Sequence, residues 1–112
     1  MQDEQERAAR STRRLPPEAL AGLRETFAEE VAERLPRLRA AVDSDDDALL
    51  QSAVRDAHSL GSSAAVVGLA DASRSARAAE ALLVGRPPGA PAGAELRLRV
   101  TELDHHLAGW RP

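Results

Sequence analysis

One histidine, His58, stands in a run of small residues: Ala57-His58-Ser59-Leu60-Gly61-Ser62-Ser63-Ala64-Ala65-Val66-Val67-Gly68. The run otherwise reads as helix, and a glycine inside a helix costs about 1 kcal/mol relative to alanine. Gly61 therefore needs a physical reason, and open room beside the imidazole for an approaching molecule is one. A neutral imidazole is a nucleophile. To work as a catalyst it ordinarily needs an orienting carboxylate and a substrate pocket. The chain offers no Ser-His-Asp logic, no glycine-rich phosphate loop and no metal-ligand spacing. The pattern suits a histidine that is itself the substrate of a larger partner's active site. The plainer alternative is a surface histidine with no task.

Two other clusters invite a metal and argue against it on inspection. In Asp43-Ser44-Asp45-Asp46-Asp47 a calcium loop fails, because Ala48 stands where the turn glycine belongs and Val54 where the bidentate glutamate belongs. The segment reads instead as a turn and a helix N-cap, with carboxylates at the positive end of the next helix. His105 and His106 are adjacent, so on a helix they point about 100° apart, and no third ligand is evident. They are expected to be exposed at the negative end of the last helix, and no metal site is expected.

The elements that must position His58 follow from periodicity. Leu20, Leu23, Phe27, Val31, Leu35, Leu38 and Val42 recur every three or four residues, one face of a helix that starts at Pro16-Pro17. Pro36 keeps the phase, so a kink rather than a stop is expected. A second helix carries Leu50, Ala53, Ala57, Leu60, Ala64 and Val67. A third carries Leu69, Ala72, Ala76, Ala79 and Leu83. After the loop Gly85-Arg86-Pro87-Pro88-Gly89-Ala90-Pro91, a fourth starts at Pro91 or Ala94 and carries Leu96, Val100, Leu103 and Leu107. Short connections between amphipathic helices imply an all-α, antiparallel up-down four-helix bundle. On a wheel of the second helix, His58 lies about 110° from the centre of the apolar face, on the shoulder of the bundle. Gly61 and Ser62 lie one turn on and Arg55 one turn before. Residues 1–14 are polar and charged and read as a flexible leader, with residues 15–112 as a single domain.

Composition narrows the classes. The 112 residues are 43% hydrophobic but only 2% aromatic, Phe27 and Trp110, so the core is built from Leu, Val and Ala. There is no Ile or Tyr and little Thr, which argues against strands. All fifteen basic residues are arginine; coding bias is the simplest reading of that. With a net charge of −3, no basic stripe and no aromatic platform, nucleic-acid binding is not expected. No cysteine is present, which excludes disulfides. No 18-residue apolar run and no signal peptide occur, so a cytoplasmic protein without membrane contact is expected.

These residues together resemble the histidine phosphotransfer (HPt) domain of multistep His–Asp phosphorelays. That family's signature is roughly His-x-Leu-Lys-Gly-Ser-Ser/Ala, with a glycine ten residues after the histidine. Here the string is His58-Ser59-Leu60-Gly61-Ser62-Ser63, with Gly68 ten residues on. Ahead of it come Glu29-Glu30, an Asp-rich turn and an Ala-His pair. The third helix has Ala76-Arg77-Ala78-Ala79-Glu80, similar to the family's Ala-Arg-x-Leu-Glu stretch. The phosphoacceptor domain of chemotaxis-type histidine kinases carries a Glu at the place of Glu80. The likeness spans about residues 17 to 108.

The resemblance implies a phosphocarrier rather than an enzyme. His58 would be the phosphoacceptor, Ser59, Gly61, Ser62 and Ala65 the docking surface, and Glu80 the carboxylate that holds the non-attacking ring nitrogen. It implies no cofactor of the chain's own, with Mg²⁺ supplied by a partner receiver. The partners would be a response-regulator receiver domain, a hybrid histidine kinase, or both. The family's lysine is missing, however: Gly61 stands in its place and Ser62 in that of the following glycine, by substitution or by a one-residue slip. A phosphoryl group on His58 would lose one charge-assisted contact, for which Arg55 and Arg77 are candidate replacements. Two other readings stay open. One is a receiver-binding scaffold that does no phosphotransfer. The other is the phosphoacceptor fragment of a chemotaxis-type kinase, against which stands an opening, Met1 and a polar leader, that suits a complete small protein. A single histidine on a closed bundle favours a monomer.

Overall fold

Each of the four periodic stretches forms one helix in the computed structural model, which describes residues 15–87, 90 and 93–112. Helix α1 is Pro17–Val42, α2 Asp47–Val66, α3 Ala70–Val84 and α4 Ala94–Ala108. The expected leader over residues 1–14 and part of the loop before α4 lie outside the described residues.

Local chemistry sets the ends. Pro17 occupies the first turn of α1, where its missing N–H costs nothing, and the helix runs on through Pro36. The acidic turn acts as a cap: Asp46 accepts hydrogen bonds from the backbone N–H groups of Ala48 at 2.9 Å and Leu49 at 3.4 Å. Gly68 adopts φ 83°, a left-handed conformation that ends α2. The Leu69 N–H then closes the turn by donating to the Ala64 carbonyl at 2.8 Å.

Helix α2 packs between α1 and α3, α3 packs on α4, and α1 closes the ring against α4. Side-chain pairs show that neighbours run antiparallel. Glu30 meets Ser59 and Arg34 meets Asp56 between α1 and α2. His58 meets Glu80 and Gly61 meets Ser73 between α2 and α3. Phe27 meets Trp110 and Arg39 meets Asp104 at the α1–α4 seam. The fold is an all-α four-helix bundle.

The core is aliphatic apart from Phe27, whose ring meets Trp110 edge-on at 5.2 Å. Leu20 and Leu23, expected on the buried face, are not in it: Leu20 is half-buried and Leu23 is 37% exposed. The reason is length. Trp110, just past the end of α4, sits beside Phe27, so the turns of α1 before Phe27 run beyond α4 and, among the described residues, are not covered by it. The buried face of α3 is small, with Ala72, Ser73, Ala76 and Ala79, so α2 and α3 approach closely. The Ser73 hydroxyl donates to the Gly61 carbonyl at 2.7 Å inside that seam.

Among the described residues no helix is long and apolar enough to cross a membrane.

Candidate functional site

His58 projects from the α2 shoulder with 68% of its side chain exposed. Its Nδ1 lies 2.9 Å from Oε2 of Glu80 on α3. A carboxylate oxygen accepts, so in the neutral ring this contact favours the tautomer in which Nδ1 carries the proton and Nε2 keeps its lone pair. Glu80 is 26% exposed. The ring is thus held along one edge by a neighbouring helix and open elsewhere, which suits an incoming electrophile more than an enclosed substrate.

Around the ring, the four residues expected to form a docking surface divide. Ser62, one turn on, is exposed, and Ala65, two turns on, is half-buried. These two, with the imidazole, make a low patch. Ser59 turns the other way: it is half-buried, and its hydroxyl donates to Glu30 on α1 at 2.8 Å. Gly61 is no part of the surface, because it is buried under α3. A Cβ at that position would lie 3.1 Å from Cγ of Arg77 and 3.5 Å from Cβ of Ala76. The glycine makes room for a neighbouring helix rather than for a docking partner.

The two candidate arginines also part. Arg55 is exposed and reaches back along α2, its Nη2 donating to the Ser52 hydroxyl at 3.4 Å. Arg77 is exposed on α3, beside Gly61. His105 and His106 are both exposed at the end of α4. Among the described residues no group of three or more His, Cys, Asp or Glu side chains is arranged to hold a metal ion.

One cluster beside the site has no counterpart in the sequence expectations. Asp56 is 2% exposed, and its Oδ1 accepts from Arg34 and Arg37 of α1, each at 2.9 Å. Its signal was available: Asp56 falls three residues after Ala53 and four before Leu60, on the buried side of the α2 pattern. A charge there needs partners from another helix, and the arginines of α1 recur at the spacing to supply them. Asp56 and His58 are about 200° apart around α2, so this cluster braces the α1 side while His58 lies on the α3 side.

The His58–Glu80 contact is a point of attack for mutation. Glu80→Ala leaves the ring free to rotate and to populate either neutral tautomer. Because the contact is exposed, the effect is far smaller than for a buried catalytic triad. If His58 is the phosphoacceptor that the resemblance implies, its phosphorylation by a small phosphoryl donor is expected to slow about tenfold, with little change in the melting temperature. An unchanged rate would show that the carboxylate does not orient the ring.

Comparison with known proteins fits this geometry. No curated protein and no solved structure matches the chain at a significant level. The family model for the Hpt domain matches residues 22–109, which takes in most of α1 and all of α2, α3 and α4. Domains of that family carry phosphoryl groups on histidine in phosphorelays and are carriers rather than enzymes. By the extent of that match, the chain belongs to the Hpt domain family.

Proposed function

We propose that His58 receives a phosphoryl group from the aspartyl phosphate of a receiver domain and passes it to a second aspartate. The observation that carries this reading is the exposed imidazole with Nδ1 held by Glu80 at 2.9 Å. Nε2 attacks phosphorus in line. The Nε2–P bond forms as the P–O bond to the aspartate breaks, and the bonding pair leaves with the aspartate carboxylate. The ring gains positive charge, which the Glu80 carboxylate balances across Nδ1. Phosphoryl transfer needs positioning and charge neutralisation above all. The receiver supplies Mg²⁺ and the reacting carboxylate, and this chain supplies the nucleophile and a landing surface at Ser62 and Ala65. The chain needs no cofactor of its own on this reading. It acts in the cytoplasm, where receivers and their kinases work, and acts as a monomer.

A scaffold that binds a receiver without transfer is the second reading, favoured by the absence of lysine at position 61. Mixing the protein with a receiver phosphorylated in vitro separates the two. The carrier reading expects label on this chain that is acid-labile and base-stable, as a phosphoramidate bond is. Receiver binding with no label on this chain would establish the scaffold instead.

A further inference from the structure

The family pattern places a lysine three residues after the histidine; this chain has Gly61 there and no lysine at all. The antiparallel register of α2 and α3 accounts for the exchange. His58 meets Glu80. One turn along α2, Gly61 meets Arg77, which lies one turn before Glu80 on α3. A Cβ on residue 61 would sit 3.1 Å from Arg77 Cγ, closer than relaxed contact between carbons, so any side chain there competes with the arginine stem for the same space. Glycine leaves that stem its place beside residue 61, one turn along α2 from His58, and Arg77 is exposed. Among the described residues its guanidinium makes no ion pair, not even with Glu80 one turn on. No existing pair has to break for it to meet an arriving anion. Arg55 is placed differently: its Nη2 turns to Ser52, and it lines a separate groove toward α1 with Arg34, Arg37 and Asp56.

We infer that Arg77 supplies, from α3, the positive charge that the family's lysine supplies from the histidine's own helix, and that it contacts the phosphoryl oxygens when His58 is loaded. This rests on the reading of His58 as phosphoacceptor. Gly61 and Arg77 form one unit: the glycine is the seat and the arginine the occupant. Arg77 presents a planar fork of donors to the phosphoryl group, a geometry that lysine lacks.

The test uses the full chain, ¹⁵N-labelled and loaded with potassium phosphoramidate. That donor's P–N bond breaks as Nε2–P forms, and its nitrogen leaves as ammonia. The half-life of phospho-His58 is followed by its own NMR signals, apart from those of His105 and His106. The ³¹P shift is titrated to locate the second ionisation of the phosphoryl group. Arg77→Gln keeps the stem and removes the charge. It is expected to shorten the half-life about fivefold and to raise the ³¹P titration midpoint, because the dianion loses its cation. Arg77→Lys is expected to restore most of both. Arg55→Gln is expected to move neither. Introducing Gly61→Lys into Arg77→Ala is expected to lengthen the half-life again, because the lysine then has both space and task. Equal half-lives and midpoints for wild type and Arg77→Gln would overturn the inference, as would a larger effect from Arg55→Gln. If only His105 and His106 take the phosphoryl group, both the phosphoacceptor reading and this inference fall. If His58 loads and Arg77→Gln shortens its lifetime but no receiver exchanges phosphate with it, the relay role falls and the Arg77 contact stands.

Discussion

Replacing His58 with glutamine is expected to reduce labelling of the chain by a phosphorylated receiver to background while leaving the fold intact. The side chain is 68% exposed, so the substitution removes no core volume and buries no new polar group. Its one bond, to Glu80, sits at the surface and contributes little to stability. The chemistry has no substitute, because the glutamine amide is not a nucleophile and no other histidine lies on α2. His105 and His106 are on α4, which packs against α3 and α1 rather than against the α2 face. A receiver landing on Ser62 and Ala65 does not bring its aspartate to them. Filter retention of label and an unchanged melting curve check the two halves of this expectation. Label persisting in His58→Gln would move the acceptor to α4.

The largest effect on stability expected from a single polar substitution is at Asp56. Its carboxylate is 2% exposed and joins Arg34 and Arg37 to α2 through one shared oxygen. Removing one member of a buried charge pair generally costs about 3–5 kcal/mol, because the remaining charge is stranded. Here the stranding is partial. Arg34 and Arg37 are 29% and 44% exposed, and Glu30 and Glu33 lie 3.6 and 3.7 Å from their guanidinium nitrogens, ready to take up the released charge. Asp56→Ala is therefore expected to cost about 2–3 kcal/mol, read as a fall in the urea midpoint with an unchanged slope. Asp56→Asn, which keeps an acceptor oxygen and loses the charge, is expected to cost about half as much. His58 faces the other way, so labelling by a small phosphoryl donor is expected to be unchanged in both variants. A loss below about 0.5 kcal/mol for Asp56→Ala would place the pair among surface ion pairs that contribute little.

The helices were legible because their spacing is dictated by the core they bury. Leu35, Leu38 and Val42 in α1, or Leu96, Val100, Leu103 and Leu107 in α4, can all turn inward only on a 3.6-residue period. The shoulder position of His58 followed from the same wheel. What the wheel lacks is the neighbour. It gives the face on which Gly61 lies but not which helix covers that face, so a contact between helices reads as an opening for a partner. Leu20 and Leu23 go wrong for a related reason: α1 continues past Trp110, and periodicity within one helix does not state where another ends. Asp56 escaped because a charged residue on the buried side of a pattern reads as an interruption until the arginines of α1 are seen facing it. Glu80 came from the family resemblance and not from spacing, since a contact across 22 residues has no local signature.

Nε2 of His58 is proposed as the atom that carries phosphate, with Nδ1 protonated against Glu80. Long-range ¹H–¹⁵N correlation on ¹⁵N-labelled protein, after phosphoryl transfer from a receiver domain, reads both ring nitrogens of each histidine directly. One modified imidazole is expected, His58, phosphorylated at Nε2 with its proton on Nδ1. Phosphate on Nδ1 of His58, or on His105 or His106 with His58 unchanged, would contradict it.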